Sequence, residues 1–423
     1  MSVLEKTQSM SAGEPAKALW ISTFAFTICF AVWTIFAIIG IRIKQDLSLN
    51  ETEFGLLVGT PVLTGSIARI LLGIWTERYG GRLVYTLTML AAAVATFLLS
   101  YATTYAQMLV AGLGVGLAGG SFAVGIAYVS PFFPPQKQGT ALGIFGAGNV
   151  GAAVTKFAAP FVLIAWGWQA VAEIWAIVLA AMAIFFWFTT TDDPAFRARR
   201  DRKVASKSLL QEFAPLKNVQ VWRFSLYYFF AFGGFVALSL WLPRYLVGVY
   251  GFNLEVAGMV AAAYSIPGSV FRAFGGVLSD KKGARSVMYA MLAVSALATL
   301  ILSLPAATAT GPTFGITPAV FIIVIFVLGF FMSLGKAAVF KHIPAYYPQS
   351  IGAVGGIVGM MGGLGGFVLP IAFGLLKDIT GLWSSCFMLL FAVVAISLIW
   401  MHLSIRQLQR NRASSADTSI FAQ

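Results

Sequence analysis

Charge, cysteine and histidine are all scarce in this chain of 423 residues. Charged side chains make up 10%, and there are two cysteines and two histidines. Cys29 and Cys386 both fall inside apolar runs, where a thiol behaves as a small hydrophobe, so a disulfide framework is excluded. Two histidines, both near the ends of apolar runs, leave no His/Cys/Asp/Glu spacing that could form a metal site. No metal or cofactor is expected. Acidic residues number only 15 against 28 lysines and arginines. What is abundant is apolar: 59% of residues, with a mean hydropathy of +0.86. That excludes an ordinary soluble domain of this length.

The apolar runs are about 20 to 25 residues long, enough for a helix to cross roughly 30 Å of hydrocarbon and too long for barrel strands of about 10 residues. An all-α integral membrane protein is expected, in contact with a lipid bilayer. Breaks between the runs place spans near 18–41, 53–75, 83–104, 106–131, 139–165 and 168–190, then 219–247, 254–278, 286–306, 316–340, 351–376 and 381–403. The polar start, Met1 to Lys17, leads into the first run with no small-residue cleavage pattern, so an uncleaved first span is expected. The resulting organisation is a six-span half over 1–191, a basic linker over 192–218, a second six-span half over 219–405 and a tail over 406–423.

Arg78, Arg82, the linker, Lys281, Lys282, Arg285 and the tail residues Arg406, Arg410 and Arg412 all fall on one side of a twelve-span chain. By the positive-inside rule that side is cytoplasmic, with both termini inside. The net charge of +13 is then a topology signal and not a nucleic-acid footprint.

The halves repeat. "ARILLGIWTERYGGR" in span 2 holds Arg69, Gly73 and Glu77, and "FRAFGGVLSDKKGAR" in span 8 holds Arg272, Gly276 and Asp280; 272 − 69, 276 − 73 and 280 − 77 are all 203. Two duplicated six-span halves are the pattern of a secondary transporter with its site between the halves at mid-membrane. The loop pattern G-x-x-x-(D/E)-R-x-G-x-R resembles that of the major facilitator superfamily over the whole chain, with Glu77 where aspartate is usual. The resemblance implies the twelve-helix, two-half major facilitator fold. It also implies gating roles for Glu77, its neighbour Arg78 and Asp280, the acidic residue capping a neighbouring helix to latch the cytoplasmic gate. The bland reading is an acidic residue in an ordinary turn.

Ionisable residues inside the spans are few: Arg69, Lys156, Arg244, Arg272 and Lys336, with Glu173 the one acidic residue comparably embedded. A charge at mid-bilayer costs about 2.5–3.5 kcal/mol on insertion scales, so it usually faces a watery pathway. Structural cations should have carboxylate partners, and these have none in the sequence pattern. Two guanidiniums facing one cavity fit an anion between them, and their planar forks suit carboxylate, nitrate or phosphate. Alternatively, Arg69 and Arg272 bond to helix carbonyls, and Lys156 snorkels to the outer surface. Small-residue runs in spans 4, 5, 10 and 11 draw the helices together and favour a small anion. Gly114, Gly116 and Gly119 spell G-x-G-x-x-G, but with no preceding soluble strand they read as helix packing and not as a dinucleotide loop.

"AGLGVGLAGGSFAVGIAYVSPFFPPQKQGTALGIFGAGNVG" and "SLGKAAVFKHIPAYYPQSIGAVGGIVGMMGGLGGFVLP" resemble the two glycine-rich signatures of the nitrate/nitrite porter family. The resemblance implies import of nitrate, with nitrite as a second anion, by a monomer in the inner membrane of a bacterium. By position it implies that Arg69 and Arg272 clamp the anion, that Asn149 and Tyr228 hydrogen-bond to it, and that Phe122 and Phe232 flank its faces. Gly146, Gly148, Gly362, Gly363, Gly365 and Gly366 would be pivots. Packing alone could account for the two phenylalanines, and an interfacial anchor for Tyr228.

Arginine does not release its proton, whereas a lysine buried near other cations can. Lys336 is therefore the first candidate for proton coupling, ahead of Glu173 and Lys156, and a lysine there resembles the proton-coupled symporter branch. The alternatives are nitrate/nitrite exchange and a facilitator for another small anion such as formate or oxalate. A membrane enzyme or receptor is disfavoured, since no catalytic constellation appears and Lys336 is followed by Ala337, not the Ser/Thr of a P-loop.

Overall fold

The computed structural model describes residues 13–194, 196–198, 218–307, 315–346 and 351–420. Most of the expected 192–218 linker lies outside these residues. Among those described there is no strand, only one isolated bridge between Ala306 and Ile316. Everything else of substance is helix.

Ten helical stretches are long and apolar enough to cross a membrane, and the pair Leu254–Val270 and Arg272–Lys282, bent by 42°, makes an eleventh. One of the ten, Thr140–Thr189, has 50 residues, about 75 Å at 1.5 Å per residue, more than twice the hydrocarbon thickness. It breaks at Gly167, whose φ of 85° no β-carbon-bearing residue adopts easily. It is thus two spans, and the described residues then hold twelve, matching the expected runs.

Local chemistry explains the ends. Asn50 and Glu53 form a capping box at the start of span 2 (Glu51–Tyr79), with Asn50 Oδ1 accepting from the Glu53 amide at 2.7 Å. Thr104 and Gln107 do the same for span 4, and Asn253 caps span 8. The turns after spans 2 and 8 are made by Gly80 (φ 89°) and Gly283 (φ 82°), and 283 − 80 is again 203. The sequence repeat is therefore also a repeat of backbone geometry.

The outer surface carries large apolar side chains, among them Trp20, Val110, Trp166 and Phe188. In lipid such a surface costs nothing, because the helices satisfy their own backbone groups. The packed interior depends on small residues. A β-carbon on Gly116 would lie 2.4 Å from Pro61 O, one on Gly119 2.4 Å from the Trp33 ring, and one on Gly114 2.5 Å from Ala95 Cβ. The G-x-G-x-x-G glycines are helix-packing positions, as their context implied.

The two ends of the bundle differ. At the Glu51 end, spans 2 and 11 (Ile351–Thr380) touch backbone to backbone: a β-carbon on Gly55 would lie 2.2 Å from Pro370 O, and one on Gly374 2.1 Å from Glu51 O. Asp378 accepts from the amides of Glu51 and Thr52 at 3.2 and 2.8 Å, so it caps span 2 from span 11. At the Glu77 end the same two spans diverge around a cavity of about 380 Å³ lined by Arg69, Gly73, Glu77, Phe122, Phe340 and Gly356 among others. Gly73 and Gly356 both face open space there. One end is sealed and the other open.

Candidate functional site

The cavity ends at an arginine. Arg69 sits on span 2 with 6% of its surface exposed. Its guanidinium is surrounded by three rings, at 5.2 Å from the Phe232 centroid, 5.4 Å from Phe122 and 5.9 Å from Trp33. Nη1 donates to Gly359 O at 3.0 Å, while Nε is enclosed without a partner among the described residues. Helix-carbonyl bonding thus occupies part of the fork and leaves the rest unused.

Arg272 lies 7% exposed at the bend of span 8, with its guanidinium 5.3 Å from the centroid of the same Phe122 ring. Phe122 is therefore in reach of both guanidiniums. Arg272 makes no hydrogen bond or ion pair with any described residue, and its Nη1 is enclosed. Its stem rests on Gly146, where a β-carbon would meet the guanidinium at 3.3–3.4 Å. The two charges repel one another across the site, and Tyr228 lies within electrostatic reach of Arg69.

Asn149 and Tyr228 are two further buried polar side chains expected at the site. Asn149 is fully buried in a 3₁₀ turn, Ala147–Val150, that interrupts span 5, and neither amide atom has a partner among the described residues. The Tyr228 hydroxyl is likewise fully buried and unpartnered, which removes the interfacial-anchor reading. Its ring stacks on Phe232 at 5.2 Å and meets Phe340 edge-on at 4.9 Å. Phe232 belongs to a π-helical turn, Phe229–Gly234, a local widening common at functional sites that here carries its ring over Arg69.

An unpaired buried polar group costs about 1–3 kcal/mol, and more when charged. Four side chains that each hold at least one such atom are costly unless a polar ligand completes them. Donors predominate and no described carboxylate pairs with either arginine. A flat or tetrahedral oxyanion fits that chemistry.

The glycines expected to be pivots are points of close approach. Gly362 touches the Tyr228 ring, Gly363 touches Ser66, and Gly365 and Gly366 meet Phe229 and Val236. Gly148 sits against Phe26. None of them has a positive φ.

Lys336, in span 10 (Pro318–Tyr346), is fully buried; its ammonium donates to Gly268 O and lies 3.5 Å from the Phe235 ring centroid. It repels Arg272, so three cations share one region.

Several expectations need correction. Lys156 does not snorkel: it is fully buried, and its Nζ donates to Ser239 Oγ at 2.5 Å and Ser265 Oγ at 2.7 Å, on spans 7 and 8. Arg244 has a carboxylate partner, Glu51 Oε1, at 2.5 Å from Nη2, and Lys44 lies 3.6 Å from the same oxygen. Glu51, at 8% exposed, is more deeply embedded than the half-buried Glu173. Its position at a span end, just inside a cap, made it look superficial.

Neither loop acid caps the helix that follows it. Asp280 pairs instead with Lys341, while Glu77 lines the cavity with no hydrogen bond or ion pair among the described residues. Arg78 lies over the Tyr79 ring at 5.5 Å. Among the described residues Asp193 accepts from the Gly81 amide at the start of span 3 at 3.5 Å, and Asp378 caps span 2 at the opposite end. Trp33 was also missed; a tryptophan at mid-span, away from the interfacial belt, was the available signal.

Comparison with known proteins follows the same lines. The Major Facilitator Superfamily description matches residues 21–320 and 255–422. The Probable nitrate/nitrite antiporter NarK1 of Thermus thermophilus is 42% identical over 419 residues, covering 94% of this chain and 93% of that protein. The Nitrite extrusion protein of Bacillus subtilis is 33% identical, covering 88% and 91%. Among solved structures, a bacterial homolog of the human lysosomal transporter Spinster, described as inward-facing and occupied, superimposes with a TM-score of 0.71. That match covers 94% of this chain and 98% of the other, at 16% identity, and shows the shared fold.

Proposed function

The chain belongs to the major facilitator superfamily and, within it, to the nitrate/nitrite transporters, and from that premise we propose that it imports nitrate across the cytoplasmic membrane by alternating access. The single observation that supports this reading best is the set of unpartnered buried polar atoms on Arg69, Arg272 and Tyr228 beside Phe122 and Phe232, with those of Asn149 three residues from the Gly146 contact of Arg272. Nitrate is planar and carries a single charge. Its oxygens take the guanidinium and amide N–H groups and the tyrosine hydroxyl, and its faces take the two rings.

The basic loops support a cytoplasmic Glu77 end, with both termini on that side. The site is then open inward and sealed outward. Release of the Glu51–Arg244 pair and of the Asp378 cap opens the outer end, as residues 1–191 and 219–405 rock about the glycine contacts of spans 5 and 11. At the inner end, Glu77 is placed to form a tie of the gate once the cavity closes, while Asp280 is held by Lys341 within the second half.

Uptake against an inside-negative potential needs a co-transported cation or exchange for another anion, and for the first Lys336 is the candidate carrier. It is a removable positive charge beside two permanent ones. A proton leaving Lys336 inward lowers the local charge and loosens the anion, so nitrate and proton leave together. Glu173, half-buried on span 6, is the second candidate.

The test is nitrate uptake into proteoliposomes under an imposed pH gradient. Accumulation should follow the gradient, and Lys336→Met should uncouple it. The second reading, nitrate/nitrite exchange, is favoured by the name of the Thermus relative. Accumulation that ignores the gradient and requires internal nitrite would establish exchange.

A further inference from the structure

Lys156, the third coupling candidate, has no part in the reading above, yet it is a fully enclosed cation. It is fully buried, donates to Ser239 and Ser265, and donates to Ala152 O at 3.3 Å. No described carboxylate lies within ion-pair distance of it. A buried ammonium with only neutral partners is costly, because hydroxyl and carbonyl dipoles offset part of the lost hydration but not the charge.

Its placement gives that cost a use. Ser239 is on span 7 and Ser265 on span 8, whereas Lys156 is on span 5, so both bonds cross between the first and second halves. The seam is tight: a β-carbon on Gly258 would lie 2.3 Å from Lys156 O. Separating the halves at this end breaks both bonds at once. The ammonium then faces the opened cleft with only the carbonyl of its own helix. Lys156 also follows Asn149 by seven residues, close to the same face of the helix and about 10 Å further toward the Glu51 end. An anion moving from that end toward Arg69 and Arg272 passes it first.

We propose that Lys156 is an outer waiting site for a small oxyanion: bound by Ser239 and Ser265 when the outer end is sealed, and by the incoming anion when it is open. This rests on the functional reading above and deepens it. An anion with affinity for the open state alone shifts the equilibrium toward opening, so external substrate itself favours the state that admits it. The two serines compete with the anion for the same three N–H donors.

The test is sided kinetics of the full-length protein, with nitrate presented to right-side-out and to inside-out membrane vesicles. Lys156→Met should raise KM from the outer face at least about tenfold and change the inner KM less than about twofold. Lys156→Arg, which keeps the cation, should recover most of the loss. The double variant Ser239→Ala, Ser265→Ala removes the sealed-state partners and spares the cation. It should lower the outer KM, a change in the opposite direction that damage to the fold does not produce, and it carries the test if Lys156→Met fails to fold. Equal KM changes at both faces, or an outer KM unmoved in Lys156→Met and in the serine double variant, overturn the role of Lys156. Wild-type vesicles that take up no nitrate overturn the functional reading instead, and the waiting site with it.

Discussion

Replacing Asn149 separates a binding site from a packing site. Its amide is fully buried with both polar atoms unpartnered, and the 3₁₀ turn holding it starts beside Gly146, on which the Arg272 guanidinium rests. Asn149→Ala deletes a hydrogen bond to a charged ligand, about 1.5–3 kcal/mol, or roughly a ten- to hundredfold loss of affinity. Asn149→Asp does more, because it supplies the two arginines with an internal anion. A carboxylate about 5 Å from the bound anion, at an effective dielectric of about 20, repels it by about 3 kcal/mol, which raises Kd by roughly two orders of magnitude. The same aspartate should stabilise the empty protein, since it relieves the repulsion between Arg69 and Arg272. Calorimetric titration of nitrate into purified protein gives the affinity, and thermal unfolding gives the stability. Weaker binding together with a higher melting temperature is the expected pair of results. An Asn149→Asp protein that binds nitrate as tightly as wild type would refute the reasoning, because the amide would then lie outside the site.

Three further outcomes are expected. Arg69→Lys and Arg272→Lys keep the charge but lose the planar fork, so each should lower nitrate uptake at least about tenfold at unchanged expression. Glu51→Gln leaves Arg244 half-paired; with side-chain exposures of 19% and 10% the pair is not wholly dry, so the loss should be about 2 kcal/mol, below the roughly 3–5 of a fully buried pair. It is seen as a lower melting temperature that Arg244→Gln in the same protein partly restores. Gly374→Ala drives a β-carbon toward Glu51 O and should abolish transport by holding the outer end apart, whereas Gly276→Ala, facing open space, should transport normally.

The fold was legible because its signals are long and redundant. Twelve apolar runs, a charge bias between loops and a 203-residue repeat agree, and the repeat reappears as matched glycines at 80 and 283. The centre of the site was legible for a related reason: Arg69, Arg272 and Asn149 are rare residue types in apolar surroundings. What escaped depends on partners far away in the chain. Glu51 and Asp378 look like ordinary span-end acids until the second half brings Arg244 to one and span 11 brings the other to span 2. Lys156 looked free to snorkel because Ser239 and Ser265 give no sign in sequence that they face it. The bulge at 229–234 that turns Phe232 toward Arg69 leaves no periodic trace, since one extra residue per turn is invisible among apolar neighbours.

Competition for labelled nitrate uptake in proteoliposomes containing only this protein tests the anion site most directly. Nitrite and chlorate should compete near the nitrate KM, formate and oxalate only at far higher concentration, and Arg69→Ala with Arg272→Ala should abolish uptake. Formate or oxalate competing better than nitrite, or uptake surviving loss of both arginines, would contradict the account.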